Sequence, residues 1–183
     1  SRITSTIIAT LLLTNTTSLK AQNIDLSFGE NGYLSYNGND SNSELNIGRG
    51  ENSALQTDGK IVVSITKVAP ASSDWYLYTY RYFNDGTPDS TFGINGVSKI
   101  FSGSNTKNYD LVIQPDNKIV LVAETEYCIN GVCGAAQFLM VRLKSNGDLD
   151  STFGNNGKVI TNKDGTGTNT YDRVIDLKLQ NDG

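Results

Sequence analysis

One eight-residue phrase occurs three times in this chain, and no other feature restricts the possible folds as much. Asp25-Leu26-Ser27-Phe28-Gly29-Glu30-Asn31-Gly32, Asp89-Ser90-Thr91-Phe92-Gly93-Ile94-Asn95-Gly96 and Asp150-Ser151-Thr152-Phe153-Gly154-Asn155-Asn156-Gly157 share Asp, Phe, Gly, Asn and Gly at the same places. The copies begin 64 and 61 residues apart, at Asp25, Asp89 and Asp150. A second marker keeps the same rhythm. Gln56-Thr57-Asp58-Gly59-Lys60-Ile61-Val62-Val63 matches Gln114-Pro115-Asp116-Asn117-Lys118-Ile119-Val120-Leu121, and Gln180-Asn181-Asp182-Gly183 opens a third copy. Two markers at one period define a repeat of about 60 residues, and fixed periods of this size mark solenoids, propellers or arrays.

Each period holds four strand signals. In the second they are Tyr109 to Gln114, Lys118 to Ala123, Phe138 to Leu143 and Val159 to Thr161. Asp-Gly and Asn-Gly dipeptides between them supply the positive φ that tight hairpins need. An offset of 61 sets Tyr78, Tyr80 and Tyr82 on Leu139, Val141 and Leu143, and sets Leu77 and Thr79 on Phe138 and Met140. Both faces of that strand are largely apolar, so it is expected between two layers. Stacked four-stranded antiparallel sheets arranged radially supply that setting. The expected fold is all-β, a partial β-propeller seen for roughly two and a half blades. No helical pattern stands out. A closed propeller has four to eight blades, so the stretch is expected to belong to a longer chain that is monomeric when complete.

The first residues read as an export signal short of its beginning. Arg2 is a lone basic residue, Ile7-Ile8-Ala9-Thr10-Leu11-Leu12-Leu13 is a short apolar run, and Lys20-Ala21-Gln22 offers cleavage after Ala21. The run is too short to span a bilayer. The competing reading is a buried N-terminal strand. The expected division is 1–21 as signal and 22–183 as propeller repeats, with a secreted or cell-surface location. Composition agrees with a globular domain: 37% hydrophobic, 19% charged, 18 glycines and a net charge of −4. No Lys/Arg cluster addresses nucleic acid.

The phrase Gln-x-Asp-Gly-Lys-Ile-Val-Val, an Arg-ending strand, and then Asn-x-Gly-x-x-Asp-Ser-Thr-Phe-Gly-x-Asn-Gly together resemble the delta-60 repeat family. That family is described as β-propeller modules of unknown function in secreted or surface bacterial proteins. The resemblance covers residues 23–183. It departs at Asn117, where Gly is usual, and at Pro88, where the next copy has Leu149. It implies the fold and a secreted setting, and it offers no catalytic residue to carry over.

Most repeated residues read as structural. Arg81 and Arg142 stand eight residues before Asp89 and Asp150, as expected of an Arg–carboxylate staple in each blade rather than a ring of anion sites. Phe28, Phe92 and Phe153 read as wedges between blades, and Gly29, Gly93 and Gly154 as backbone requirements. Asp25 heads the first copy of the same phrase. Cys128-Ile129-Asn130-Gly131-Val132-Cys133 reads as a hairpin. If Asn130-Gly131 is its two-residue turn, Cys128 and Cys133 form a non-hydrogen-bonded pair with Cα atoms about 4.5 Å apart. That is inside the disulfide range, and an exported protein would be oxidised there.

Three features invite a functional reading. Trp75 with Tyr76, Tyr78, Tyr80 and Tyr82 could stack sugars, although three of these tyrosines align with core aliphatics. The loop from Asn37 to Glu44 is rich in oxygen ligands but lacks the EF-hand spacing. Glu124, Glu126 and Asp110 are acids without counterparts in the other repeats, whereas Asp58 and Asp116 are repeated turn residues. The chain has no histidine, which removes His-dependent triads and the commonest zinc sites from this stretch. No cofactor or metal site and no enzyme activity are expected. The expected role is binding or scaffolding of a protein or glycan. A polysaccharide hydrolase or lyase, or an adhesin built of spacer repeats, are the alternatives.

Overall fold

The computed structural model describes residues 25–35, 52–69, 74–126 and 137–161, with short pieces at 6–7, 128–129, 132–133, 174 and 176–180. Among the described residues there are eleven strands and no helix. They are β1 (Thr6–Ile7), β2 (Leu34–Ser35), β3 (Asn52–Leu55), β4 (Ile61–Val68), β5 (Trp75–Tyr82), β6 (Val97–Ile113), β7 (Ile119–Glu126), β8 (Cys128–Ile129), β9 (Val132–Cys133), β10 (Gln137–Leu143) and β11 (Lys158–Thr161).

Seven of them make one antiparallel sheet in the order β11-β10-β7-β6-β5-β4-β3. β6 belongs to two four-stranded meanders at once. Its first half pairs with β5, from Trp75↔Gly103 to Tyr80↔Val97. Its second half pairs with β7, from Ser104↔Glu126 to Ile113↔Ile119. The pattern in the sequence suggested two strands here, the last of one repeat and the first of the next. Their connection is so short that the strand runs on. It turns at Gly103 (φ 108°) and Asn105 (φ 46°), with register shifts on either side of the join. Gly103 is required there, because a Cβ would lie 2.5 Å from the Thr125 hydroxyl.

The two meanders bury apolar faces against each other. Val62 and Leu77 of the first join Leu111, Ile119, Leu121, Ala123, Leu139, Val141 and Leu143 of the second in one cluster. A polar row crosses the same face of the first meander: Asn52, Ser64, Thr79 and Ser98 stand opposite one another through all four strands. Asn108 reaches across and donates its amide to the Ser64 hydroxyl. The corresponding row of the second meander is Asp110, Val122, Met140 and Val159.

On β5 the tyrosines share one face and pack on each other. Tyr76 meets Tyr78 edge-on at 6.5 Å, and Tyr78 stacks on Tyr80 at 6.3 Å. The Lys67 ammonium lies 4.9 Å from the Tyr78 ring. The opposite face is less apolar than expected, since Thr79 and Arg81 are buried there beside Leu77. Pro88 sits just past the 84–86 turn in a bridge to Tyr82. The flanking pairs carry the hydrogen bonds, from the Phe83 amide to the Thr87 carbonyl and from the Asp89 amide to the Arg81 carbonyl. Pro88 therefore lacks nothing the ladder needs.

Of the segment expected to be an export signal, Thr6–Ile7 is described. It pairs antiparallel with Leu34–Ser35. The rest of that segment and the Asn37–Glu44 loop lie outside the described residues.

Candidate functional site

In each meander both repeated markers converge on one buried carboxylate. Asp89 opens the phrase that follows β5, and Arg81 stands one residue before the end of β5. The Arg81 Nε donates to Asp89 Oδ2 at 2.8 Å. The Thr91 hydroxyl and amide donate to the other oxygen at 2.6 and 3.1 Å. Lys60, from the second marker, brings its ammonium to 3.6 Å of the same carboxylate. The guanidinium carbon sits 4.7 Å from the centre of the Phe92 ring. The second meander repeats this set: Arg142 to Asp150 at 2.8 Å, Thr152 at 2.7 and 3.2 Å, Lys118 at 3.9 Å, and Arg142 at 4.6 Å from Phe153. In the first copy, the Ser27 hydroxyl and amide donate to Asp25 at 2.6 and 2.9 Å.

Burial works to raise the Asp89 carboxyl, but the Thr91 donors and the Arg81 guanidinium outweigh it and hold it below the usual value. Asp150 is lowered chiefly by the Thr152 hydroxyl, with Arg142 adding to it against burial. Asp25 is lowered by Ser27. Asp89 and Asp150 are thus anchored as anions with both carboxylate oxygens engaged. The sequence singled out Arg, Asp, Phe and Gly. It missed Lys60 and Lys118, whose recurrence just after each Asp-Gly or Asp-Asn turn was the available sign.

The same region joins successive repeats. The Gly29 amide donates to the Asp85 carbonyl at 2.9 Å, and the Gly93 amide donates to the Asn146 carbonyl at 2.8 Å. Gly86 and Gly147 must be glycine for this approach, since a Cβ would fall 2.9 Å from the Gly29 nitrogen and 2.7 Å from the Gly93 nitrogen. Gln56 Nε2 donates to the Asn117 carbonyl at 3.3 Å, one turn to the next. Asn117 adopts φ 63° where its counterpart Gly59 has φ 83°. Asp58 and Asp116 are spent on their own turns, paired with Lys60 at 3.2 Å and Lys118 at 2.6 Å.

The acids peculiar to the second meander are each committed to a neighbour. Tyr109 donates its hydroxyl to Glu124, which is buried. Asn105 donates to Glu126 at 2.9 Å. Asp110 accepts the Leu111 and Leu177 amides at 2.8 and 2.9 Å. Among the described residues no group of three or more Cys, Asp or Glu could hold a metal ion. The tyrosines of β5 are packed into the sheet face, with Tyr78 only 7% exposed, so they do not present a row of open rings. The β8–β9 backbone sets Cys128 opposite Cys133 and Ile129 opposite Val132; the Asn130-Gly131 turn lies outside the described residues.

Strand directions sort all of this onto two ends. The repeated phrases, the Asp-Gly and Asp-Asn turns and the inter-repeat hydrogen bonds occupy one end. At the other end, β4 gives way to β5 between Val68 and Trp75, and β7 to β10 between Glu126 and Gln137. The second of these connections is the longer and contains Cys128 and Cys133. The change of spacing from each Gln marker to the phrase that follows it, 33 residues against 36, therefore falls at this second end.

A family model described as a domain of unknown function (DUF5122) beta-propeller matches residues 56–92 and 114–153. Each match starts at the Gln of one marker and closes on the Phe of the other. No curated protein and no solved structure matches the chain.

Proposed function

We propose that this chain is part of a secreted or cell-surface propeller of the delta-60 type, and that it binds a protein or glycan through the end where its repeats differ. The observation that supports this is the segregation just described. The repeated polar groups are consumed at one end by internal staples, and the marker-to-phrase difference in length lies at the other. Binding loops on a rigid scaffold have this distribution. A catalytic reading needs two carboxylates converging on a substrate, and Asp110, Glu124 and Glu126 each serve a different partner.

The test uses the full-length chain on glycan and peptide arrays. A captured ligand should be lost when residues 127–136 are replaced by the shorter 69–74 connection, and retained when the exposed Ile94 at the opposite end becomes Ser. Loss on the Ile94 variant alone would place binding at the wrong end. Release of new reducing ends from a captured polysaccharide would replace this reading with the hydrolase. Fractionation of the native host tests the location: recovery of the chain only from the cytoplasm would end the secretion proposal.

A further inference from the structure

Phe101 lies on β6 at the outer side of the first meander and is 47% exposed. Its ring meets Tyr76 edge-on at 5.7 Å, which fixes its plane. Lys158, from β11 of the second meander, crosses to it. Its ammonium donates to the Phe101 carbonyl at 2.6 Å and lies 5.8 Å from the ring centre. Burial lowers the basicity of this lysine, and among the described residues no carboxylate pairs with it. Lys99 places a second ammonium 4.4 Å from the Tyr76 ring. Ile160, two residues beyond Lys158 and so on its side of β11, is 58% exposed.

The repeat does not explain this arrangement. The counterparts of Lys158 and Ile160 in the first meander are Val97 and Lys99. In a chain of net charge −4, a half-exposed ring with an ammonium beside it and no carboxylate on that ammonium among the described residues is a local inversion of the surface.

We propose that Phe101 and Lys158 form a second binding site, distinct from the variable end, for an acidic sugar unit of a polysaccharide. The slightly positive C–H face of a pyranose matches the negative face of an aromatic ring. A uronate carboxylate would complete the Lys158 ammonium with a charge-assisted hydrogen bond. An acidic peptide fits less well. Adding a strand needs free carbonyls along the edge, and Lys158 already occupies that of Phe101.

The experiment is titration calorimetry of the full-length chain with short oligogalacturonates, neutral cello-oligosaccharides and a poly-glutamate peptide. Oligogalacturonate should bind in preference to both others. Affinity should fall about tenfold for Phe101→Ala and for Lys158→Gln, as expected for losing an aromatic or cationic anchor. Phe101→Tyr should retain binding, which separates loss of the ring from loss of fold. Binding should weaken between about 0.01 M and 1 M salt, as screening tightens from 30 Å to 3 Å. Replacing residues 127–136 should leave it unchanged, so failure here and failure at the variable end are told apart. No binding of oligogalacturonate, equal binding of the neutral sugar, or equal binding of poly-glutamate through the same residues would each overturn the proposal.

Discussion

Asp89 is 1% exposed, yet it carries a full set of donors from Arg81, Thr91 and Lys60. Removing one partner of such a buried pair strands the other, which costs about 3–5 kcal/mol. Asp89→Ala should therefore destabilise the chain by about 3 kcal/mol in urea unfolding. The double variant Arg81→Met with Asp89→Ala should lose less than the two single changes combined. Strict additivity would show that the pair is not coupled. The pH dependence follows from the same residues. Asp25, Asp89 and Asp150 all have lowered folded-state values. Their contribution is complete above the unfolded carboxylate value of about 3.9 and is lost as pH falls through the lower folded values. Thermal scans should show a melting temperature independent of pH in the neutral range and dropping below about pH 4. A drop already at pH 6 would refute this. Asn117 offers a backbone test. At φ 63°, Asn117→Gly should be nearly neutral, whereas Asn117→Val should cost about 1–2 kcal/mol, the penalty for a left-handed β-branched residue. The arginine–aspartate pairs were legible from sequence because both partners recur at one spacing. The Lys158–Phe101 contact was not, because it joins strands from different repeats at positions that do not recur.

At the scale of elements, strand positions were readable from turn residues and alternation, and the four signals of the second repeat became half of β6, β7, β10 and β11. The fusion within β6 was not readable, since nothing in local propensity says whether a short connection continues a ladder. The polar row of Asn52, Ser64, Thr79 and Ser98 was equally hidden, because it exists only once four registers are set. It makes the buried faces unequal: the row in the second meander carries Val122, Met140 and Val159. Ser64→Val should remove the acceptor for the Asn108 amide and cost about 1–3 kcal/mol despite its greater apolarity, because a buried donor is left unsatisfied. A stabilised variant would contradict this. For the β8–β9 hairpin we propose a disulfide between Cys128 and Cys133. Mass spectrometry of protein recovered from the host should show the loss of two hydrogens, absent in Cys133→Ser; alkylation of both thiols in unreduced protein would exclude the bond.

For the whole molecule, the fold class was the most legible property, since a repeat length and four strands per period leave few architectures. What the molecule binds was the least legible. Ligand sites lie where repeats diverge, and divergence carries no pattern to read. The two ends differ in their tolerance accordingly. Insertions between Val68 and Trp75 should leave the melting temperature within a few degrees, because long surface loops cost little. Gly147→Ala should lower it by at least 4 °C, with a Cβ driven against the Gly93 amide nitrogen and the Phe92 ring. Equal effects at both ends would remove the distinction.

The hydrogen bonds from Gly29 to Asp85 and from Gly93 to Asn146 have a direction. In each, the earlier repeat donates and the later one accepts. A repeat leaving the ribosome thus carries an amide whose acceptor has not yet been made. At about 5–20 residues per second, the wait is roughly 3 to 11 seconds. Folding should follow translation one repeat behind, with the newest blade always the unfinished one, and a stalled ribosome would hold a chain whose last complete repeat is still reactive toward a neighbour's strand.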